Sequence, residues 1–117
     1  MTFGTPGGDA QPQAMLQFLC NVVDFGMDLQ AAIEAPRFRT WSHQNSFWPH
    51  ASEPGVLAIE AGVSDDAIMA LEGYGHLVRR WPRWTPQTAG VCAIQTKGNS
   101  ALEAGADPRR DSVAAGF

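Results

Sequence analysis

Two consecutive glycines, Gly7 and Gly8, stand just before Asp9 and a long apolar segment. Glycine adopts backbone conformations closed to other residues and lets a ligand approach the chain closely. Backbone N–H groups ahead of a helix can hold an anion, such as phosphate or a carboxylate, or the oxyanion of an acyl-transfer intermediate. No lysine follows as in a nucleotide-binding loop. The spacing alone favours a plain strand-to-helix turn and leaves the oxyanion hole as the alternative.

A nucleophile to accompany the glycines is not evident. Thr2 and Thr5 lie near them, but no base stands beside either hydroxyl. Cys20 falls inside the apolar segment, where a thiol is unreactive. The three histidines lack metal-ligand spacing: His43, His50 and His76. The sequence therefore predicts half of an acyl-transfer site, with no attacking group, no metal and no cofactor.

Two arginine-rich stretches favour a structural role over binding. RRWPRW (79–84) interleaves arginine with tryptophan, as some nucleic-acid surfaces do, but it is short and the chain is acidic. We interpret it as the rim of a hairpin. In DPRRD (107–111), arginines lie between Asp107 and Asp111. Local salt bridges from Arg109 or Arg110 to these aspartates are the simplest interpretation.

The composition sets limits on the function. The 117 residues suffice for one domain, 1–117, and a net charge of −4 argues against a nucleic-acid partner. Only 17% of residues are charged, which suggests that much of the surface meets other protein. Cys20 and Cys92 are predicted to be buried free thiols. No apolar run could span a membrane, and no signal peptide is evident, so the chain as given is expected in the cytoplasm.

A helix is predicted directly after the glycines, with Asp9 as its N-cap and Pro12 in its first turn. Its polar residues form one narrow stripe: Gln13, Gln17, Asn21 and Asp24. Nearly every other position is apolar, which is a wider apolar face than a surface helix usually has. This helix therefore needs contacts on most of its sides.

The remaining segments predict an α/β (α+β) layered fold with a mainly antiparallel sheet. Gly26 ends the first helix, Asp28 caps a short second helix, and Ser64 caps a third. The predicted strands are 56–60, an edge strand at 76–81, and a hairpin of 91–96 with 101–106 around KGNS (97–100). An extended segment is expected at 37–41, and one more short strand after residue 106.

Four stretches in this order resemble the C-terminal part of the small subunit of the γ-glutamyltranspeptidase family. They are GTPGGDAQPQAMLQFLCNVVDFGMDLQAAIEAPRF (4–38), EPGVLAIE (53–60), GYGHLV (73–78) and AGADPRRDSVAAGF (104–117). The middle, NSFWPHASEPG (45–55), looks like the acylase-like bacterial branch. The resemblance implies an N-terminal-nucleophile hydrolase αββα sandwich. It also implies a precursor that cuts itself, and a new N-terminal threonine that transfers a γ-glutamyl group to water or to an acceptor amine.

By this resemblance Gly7 and Gly8 supply the oxyanion hole. The family's T-x-H segment with the catalytic threonine does not occur in these residues, nor do the residues that grip the substrate's α-amino and α-carboxyl groups. The chain is thus expected to be inactive alone and to need a large-subunit-like upstream partner. The alternative is a non-catalytic module that associates with itself. Membership of an exported precursor would make the location periplasmic or secreted.

Overall fold

The computed structural model describes residues 1–98 and 101–116. Three helices are present in that part, and they are α1 (Gln11–Val23), α2 (Leu29–Glu34) and α3 (Asp65–Gly73). The strands are β1 (Thr2–Gly4), β2 (Phe38–Trp41), β3 (Glu53–Glu60), β4 (Leu77–Trp81), β5 (Cys92–Lys97) and β6 (Ala101–Gly105). Two short 3₁₀ turns, Gly8–Ala10 and Pro86–Thr88, flank the candidate site.

The strands form two three-stranded sheets, in the orders β1-β5-β6 and β2-β3-β4. All pairs are antiparallel except β3 with β4, which are parallel because α3 carries the chain across between them. The predicted α/β fold with a mainly antiparallel sheet is confirmed. β4 is an edge strand as predicted, but among the described strands it pairs only with β3, and in parallel. The hairpin-rim interpretation of RRWPRW is therefore wrong.

The structure confirms two of the three predicted helix caps. The Asp28 and Ser64 side chains accept hydrogen bonds from the N–H groups of Ala31 and Ala67, at 2.9 and 3.3 Å. Asp9 does not cap α1, because a 3₁₀ turn precedes the helix and puts Ala10 at the cap position. The Asp9 carboxylate instead accepts a hydrogen bond from the backbone N–H of Ser46, at 2.6 Å.

The polar stripe of α1 faces the protein. The Gln13 side-chain amide donates to the carbonyl of Thr40 at 3.1 Å and accepts from the N–H of Thr40 at 2.9 Å. Gln17 makes the same pair of bonds with Phe38, both at 2.9 Å. The two glutamines thereby occupy the backbone groups along one edge of β2, as a neighbouring strand would.

The apolar side of α1 remains partly uncovered. Ala14 and Phe18 are buried, and Phe18 packs against Phe3 of β1 with 5.1 Å between ring centroids. Leu16 and Val23 on the same helix are 62% and 67% exposed. The predicted excess of apolar surface on this helix is therefore present.

The main core lies between α1, α2 and the inner face of the β1-β5-β6 sheet. Its buried members include Phe18, Leu29, Ile33, Ala89 and Val91. A smaller core under α3 contains Leu57, Ile59 and Ile68. The first core supports the glycine pair, because it includes Ala10 and Ala89 on either side of the turn.

Several details differ from the predictions. β1 was not predicted, and β3 begins at Glu53 rather than at residue 56. β5 and β6 pair as predicted, although Asn99 and Ser100 of their turn lie outside the described residues. No strand follows β6 between residues 106 and 116, and Asp107 and Arg109 of that segment instead pair with the buried charges of Arg37 and Glu60. Among the described helices none is long and apolar enough to cross a membrane.

Candidate functional site

Gly7 and Gly8 form the turn that joins β1 to α1. Their φ angles are +137° and +55°, in the region that favours glycine. A Cβ on Gly7 would lie 2.9 Å from the Cβ of Ala89, and one on Gly8 would lie 3.0 Å from Cε2 of Phe47. The positive φ angles and the lack of space for a Cβ therefore both favour glycine at these two positions. The requirement is strongest at Gly7, which packs against buried Ala89.

The two glycines use their carbonyl groups within the turn. The carbonyl of Gly7 accepts from the N–H of Ala10 at 3.1 Å, and that of Gly8 accepts from the N–H of Gln11. Neither glycine N–H donates a hydrogen bond to any group in residues 1–98 and 101–116. Two N–H groups without protein partners are what an anion or an oxyanion requires.

Thr5 supports the turn. Its hydroxyl donates to the carbonyl of Pro6 at 2.7 Å and accepts from the N–H of Gly90 at 2.8 Å. The hydroxyl is engaged on both sides, and no base lies among its partners. Thr5 therefore ties the glycine turn to the chain before β5, as a structural residue.

Beside Gly8 a cleft of about 630 Å³ opens between the start of α1, β2 and the loop after β2. Asp9, Arg39 and His43 supply its ionisable side chains, and Phe47 forms part of its wall. The hydrogen bond from the Ser46 backbone N–H lowers the pKa of Asp9 below its ordinary value, and the charge of Arg39 acts in the same direction. Asp9 is therefore ionised at neutral pH.

A buried cluster of four charges lies behind the glycine turn. The Arg109 guanidinium binds both Glu60 and Asp107, and Arg37 binds Asp107 at 2.8 Å. All four side chains are nearly inaccessible to solvent. Local pairing of Arg109 with Asp107 was predicted and is present at 3.1 Å, whereas Glu60 and Arg37 were missed and Arg110 is exposed.

The cluster reaches the turn through the segment before β5. Glu60 accepts hydrogen bonds from the N–H of Thr85 at 3.1 Å and from the hydroxyl of Thr88 at 2.8 Å. Ala89 follows Thr88 and lies against Gly7. The carboxylate of Asp107 accepts from the N–H of Val91 at 2.8 Å. These bonds fix the surface on which the glycine turn rests.

The two arginines respond differently to this burial. Burial lowers the pKa of Arg37, and the like charge of Arg109 adds to that effect against the opposing charge of Asp107. Burial also acts to lower the pKa of Arg109, but hydrogen bonding and charge from Glu60 and Asp107 outweigh it and raise that pKa. Favourable interactions with acidic groups thus outweigh the effect of burial at Arg109 but not at Arg37.

The other candidate residues lie apart from the glycines. Arg79 binds Glu53, Arg80 binds Asp65 at 2.7 Å, and both pairs are exposed. Arg83 stacks on Trp84, 4.6 Å from the ring centroid. In the described part of the chain, no three His, Cys, Asp or Glu side chains come together as a metal site would need. The structure therefore does not join the RRWPRW segment, His50 or His76 into a site with the glycines, whereas His43 lines the cleft beside Gly8.

The cysteines are both free, but the prediction that both are buried is wrong. Cys20 is half-buried, and a hydrogen bond with Asp24 raises the pKa of its thiol. Cys92 is exposed, because Ala93 is the residue of β5 that faces the core and its neighbours point to the opposite face. A raised pKa makes Cys20 a poor nucleophile.

Comparison with known proteins identifies relatives along the whole chain. The family model described as gamma-glutamyltranspeptidase matches residues 1–117. A glutathione hydrolase-like YwrD proenzyme of Bacillus subtilis is 33% identical, over 98% of this chain and 21% of its own length. The chain thus spans about a fifth of that relative.

Two solved structures are also similar. A cephalosporin acylase from Bacillus halodurans superposes with a TM-score of 0.76 at 27% identity, over 93% of this chain and 18% of its own. A mutant gamma-glutamyltranspeptidase from Pseudomonas nitroreducens gives 0.74 at 25% identity, over 98% of this chain and 54% of its own. The fold described above is therefore part of the N-terminal-nucleophile hydrolase fold of these structures.

Proposed function

Because this chain belongs to the gamma-glutamyltranspeptidase family, we propose that it is the C-terminal part of an enzyme that transfers γ-glutamyl or related acyl groups from amides to water or amines. The observation that carries the proposal is the glycine turn. Gly7 and Gly8 present backbone N–H groups without partners among the described residues, at positive φ, against a rigid buried surface. In this proposal they bind the oxyanion of the acyl-transfer intermediate.

The chemistry needs a second part of the protein. A hydroxyl nucleophile attacks the amide carbonyl, the carbonyl oxygen becomes an oxyanion, and the amine leaves as the acyl-enzyme forms. The chain's contribution is to stabilise that negative charge with N–H groups that are already in position. Since these 117 residues contain no Thr-x-His segment, the nucleophile comes from an upstream part of the precursor.

The cluster of buried charges has a positioning role in this proposal. Glu60 holds Thr85 and Thr88, and Ala89 after them packs on Gly7. The C-terminal segment supplies Asp107 and Arg109 to the same cluster. An oxyanion hole is effective only when its hydrogen-bond donors do not reorganise during the reaction. The network of buried charges holds in place the segment on which the glycine turn packs, and so restrains the donors.

The purified 117-residue chain is expected to give no turnover of a γ-glutamyl anilide, because it holds the oxyanion donors without the nucleophile. Adding the separately expressed upstream segment that contains a Thr-x-His sequence should produce release of the aniline. The measurement is absorbance of the released aniline, with the upstream segment alone as the control. Turnover by the chain alone, or no turnover by the combined parts in a folded complex, would contradict the proposal.

A second candidate is a module that associates with itself, and the exposed apolar residues favour it. On the outer face of the β1-β5-β6 sheet, Ile94 and Leu102 are 46% and 72% exposed, and Leu16 and Val23 of α1 are also exposed. We expect the isolated chain to form an oligomer, most simply a two-fold dimer. Light scattering should give a mass above 12.6 kDa. A monomer that persists at high concentration would contradict this candidate.

A further inference from the structure

Ala89 lies against the glycine turn in a backbone conformation that alanine rarely adopts. Its φ is +69° and its ψ is −166°, a combination that is essentially restricted to glycine. In the described part of the chain, two other non-glycine residues have a positive φ, His50 and Trp84, and both are exposed. Ala89 is fully buried. A strained residue persists only where its surroundings hold it, and such residues cluster at functional sites.

Hydrogen bonds on both sides keep Ala89 in this conformation. On its N-terminal side, the hydroxyl of Thr88 donates to the buried carboxylate of Glu60 at 2.8 Å. On its C-terminal side, the N–H of Gly90 donates to the hydroxyl of Thr5 at 2.8 Å. Because the residues before and after Ala89 are both fixed, its backbone cannot relax unless one of these bonds breaks.

The methyl group of Ala89 fills the space beside Gly7. A Cβ on Gly7 would lie 2.9 Å from the Cβ of Ala89 and 3.4 Å from its Cα. Gly7 and Gly8 have no side chains that could restrict them, and glycine has the greatest backbone freedom of all residues. The donors of an oxyanion hole must nevertheless be fixed before the reaction begins. A neighbouring group therefore has to restrict this turn, and the methyl group of Ala89 lies where it can do so.

We propose that Ala89 is a positioning residue, whose methyl group holds the N–H groups of Gly7 and Gly8 in place while its own backbone is strained. Glycine at position 89 would adopt the same φ and ψ without strain, but it would leave the space beside Gly7 empty. The effect on catalysis rests on the oxyanion role proposed above. The effects on the order of the turn and on stability do not depend on that role.

Ala89→Gly in the 117-residue chain tests the restraint without any turnover. We expect the ¹⁵N order parameters of the Gly7 and Gly8 amides to fall from about 0.85, the value of a rigid backbone, to below about 0.6. The midpoint of thermal unfolding should equal that of the parent or exceed it, since the relief of strain offsets the lost methyl contacts.

Ala58→Gly is the matched control. Ala58 is also fully buried, but it lies in β3 and is not among the residues with a positive φ. The same loss of a methyl group relieves no strain there, so the thermal midpoint should fall by about 4 °C or more. The order parameters of the Gly7 and Gly8 amides should keep the values of the parent.

In the complete enzyme, Ala89→Gly should lower kcat for a γ-glutamyl anilide about tenfold, a part of the loss expected when an oxyanion donor is removed outright. KM should stay unchanged, because these donors act on the charge that develops in the transition state. A residue needed only for packing would not lower kcat in an enzyme that is as stable as the parent.

Two results would overturn the positioning role of Ala89. One is an unchanged order of the Gly7 and Gly8 amides in Ala89→Gly. The other is a fall of the thermal midpoint as large as that of Ala58→Gly, which would make Ala89 an ordinary core residue. Greater mobility of the glycine amides with an unchanged kcat would support the restraint by Ala89 and contradict the oxyanion role of the turn, so the two proposals fail separately.

Discussion

Replacing Gly7 with alanine is expected to lower kcat of the complete enzyme by about 10²–10³-fold, the usual cost of losing one oxyanion donor. The new Cβ would lie 2.9 Å from that of Ala89, and a φ of +137° is closed to alanine. Ala89 is fully buried and cannot withdraw, so the turn itself must move. That movement takes the N–H groups of Gly7 and Gly8 away from the carbonyl under attack.

The measurement is kcat for a γ-glutamyl anilide, made on enzyme whose folding is checked by thermal unfolding. Gly75→Ala is the matched control, because Gly75 also has a positive φ, +94°, but a Cβ there meets nothing within 4 Å. It should lose stability through backbone strain and keep kcat. If folded Gly7→Ala enzyme kept a kcat close to that of the parent, the oxyanion role of this turn would be wrong.

Replacing Arg109 with methionine is expected to reduce the free energy of unfolding by about 3–5 kcal/mol, the cost of breaking a buried ion pair on one side. Glu60 and Asp107 would remain buried with Arg37 as their one cationic partner in the described cluster. The carbonyls of Ile33 and Ala35 would also lose the donors at 2.9 and 2.8 Å that Arg109 provides.

Urea denaturation of the chain followed by circular dichroism measures this effect. Arg80→Met is the control, since the ion pair of Arg80 with Asp65 is exposed and should contribute no more than about 1 kcal/mol. Equal destabilisation by the two variants would mean that the buried cluster contributes no more than a surface pair. In that case its proposed support of Thr85 and Thr88 would also lose its basis.

The local features were predictable from the sequence because neighbouring residues determine them. Asp28 and Ser64 cap their helices through N–H groups three residues ahead. Pro12 lies in the first turn of α1 as predicted. Asp9 was the exception, because its carboxylate binds Ser46, 37 residues further along the chain. A helix cap is predicted from residues within one turn of the chain, so this prediction takes no account of a hydrogen-bond donor that is distant in sequence.

The candidate site likewise combines local features that were predictable and contacts between distant residues that were not. The glycine pair was recognisable from its residue types, and the local bridge from Arg109 to Asp107 followed from their spacing. The pairing of Arg109 with Glu60 joins residues 49 apart and was missed. The cleft was missed as well, because Arg39 and Asp9 come together only when β2 lies beside the start of α1. Such contacts follow from the tertiary structure, which local sequence patterns do not reveal.

The glutamine contacts of α1 with β2 also bear on aggregation. An edge strand with free backbone groups can add strands from other molecules and so extend into fibrils. On β2 the groups of Phe38 and Thr40 are already taken by Gln17 and Gln13, so this edge cannot template further growth. The helix that follows the glycine turn therefore also protects the β2 edge of the neighbouring sheet from cross-β polymerisation.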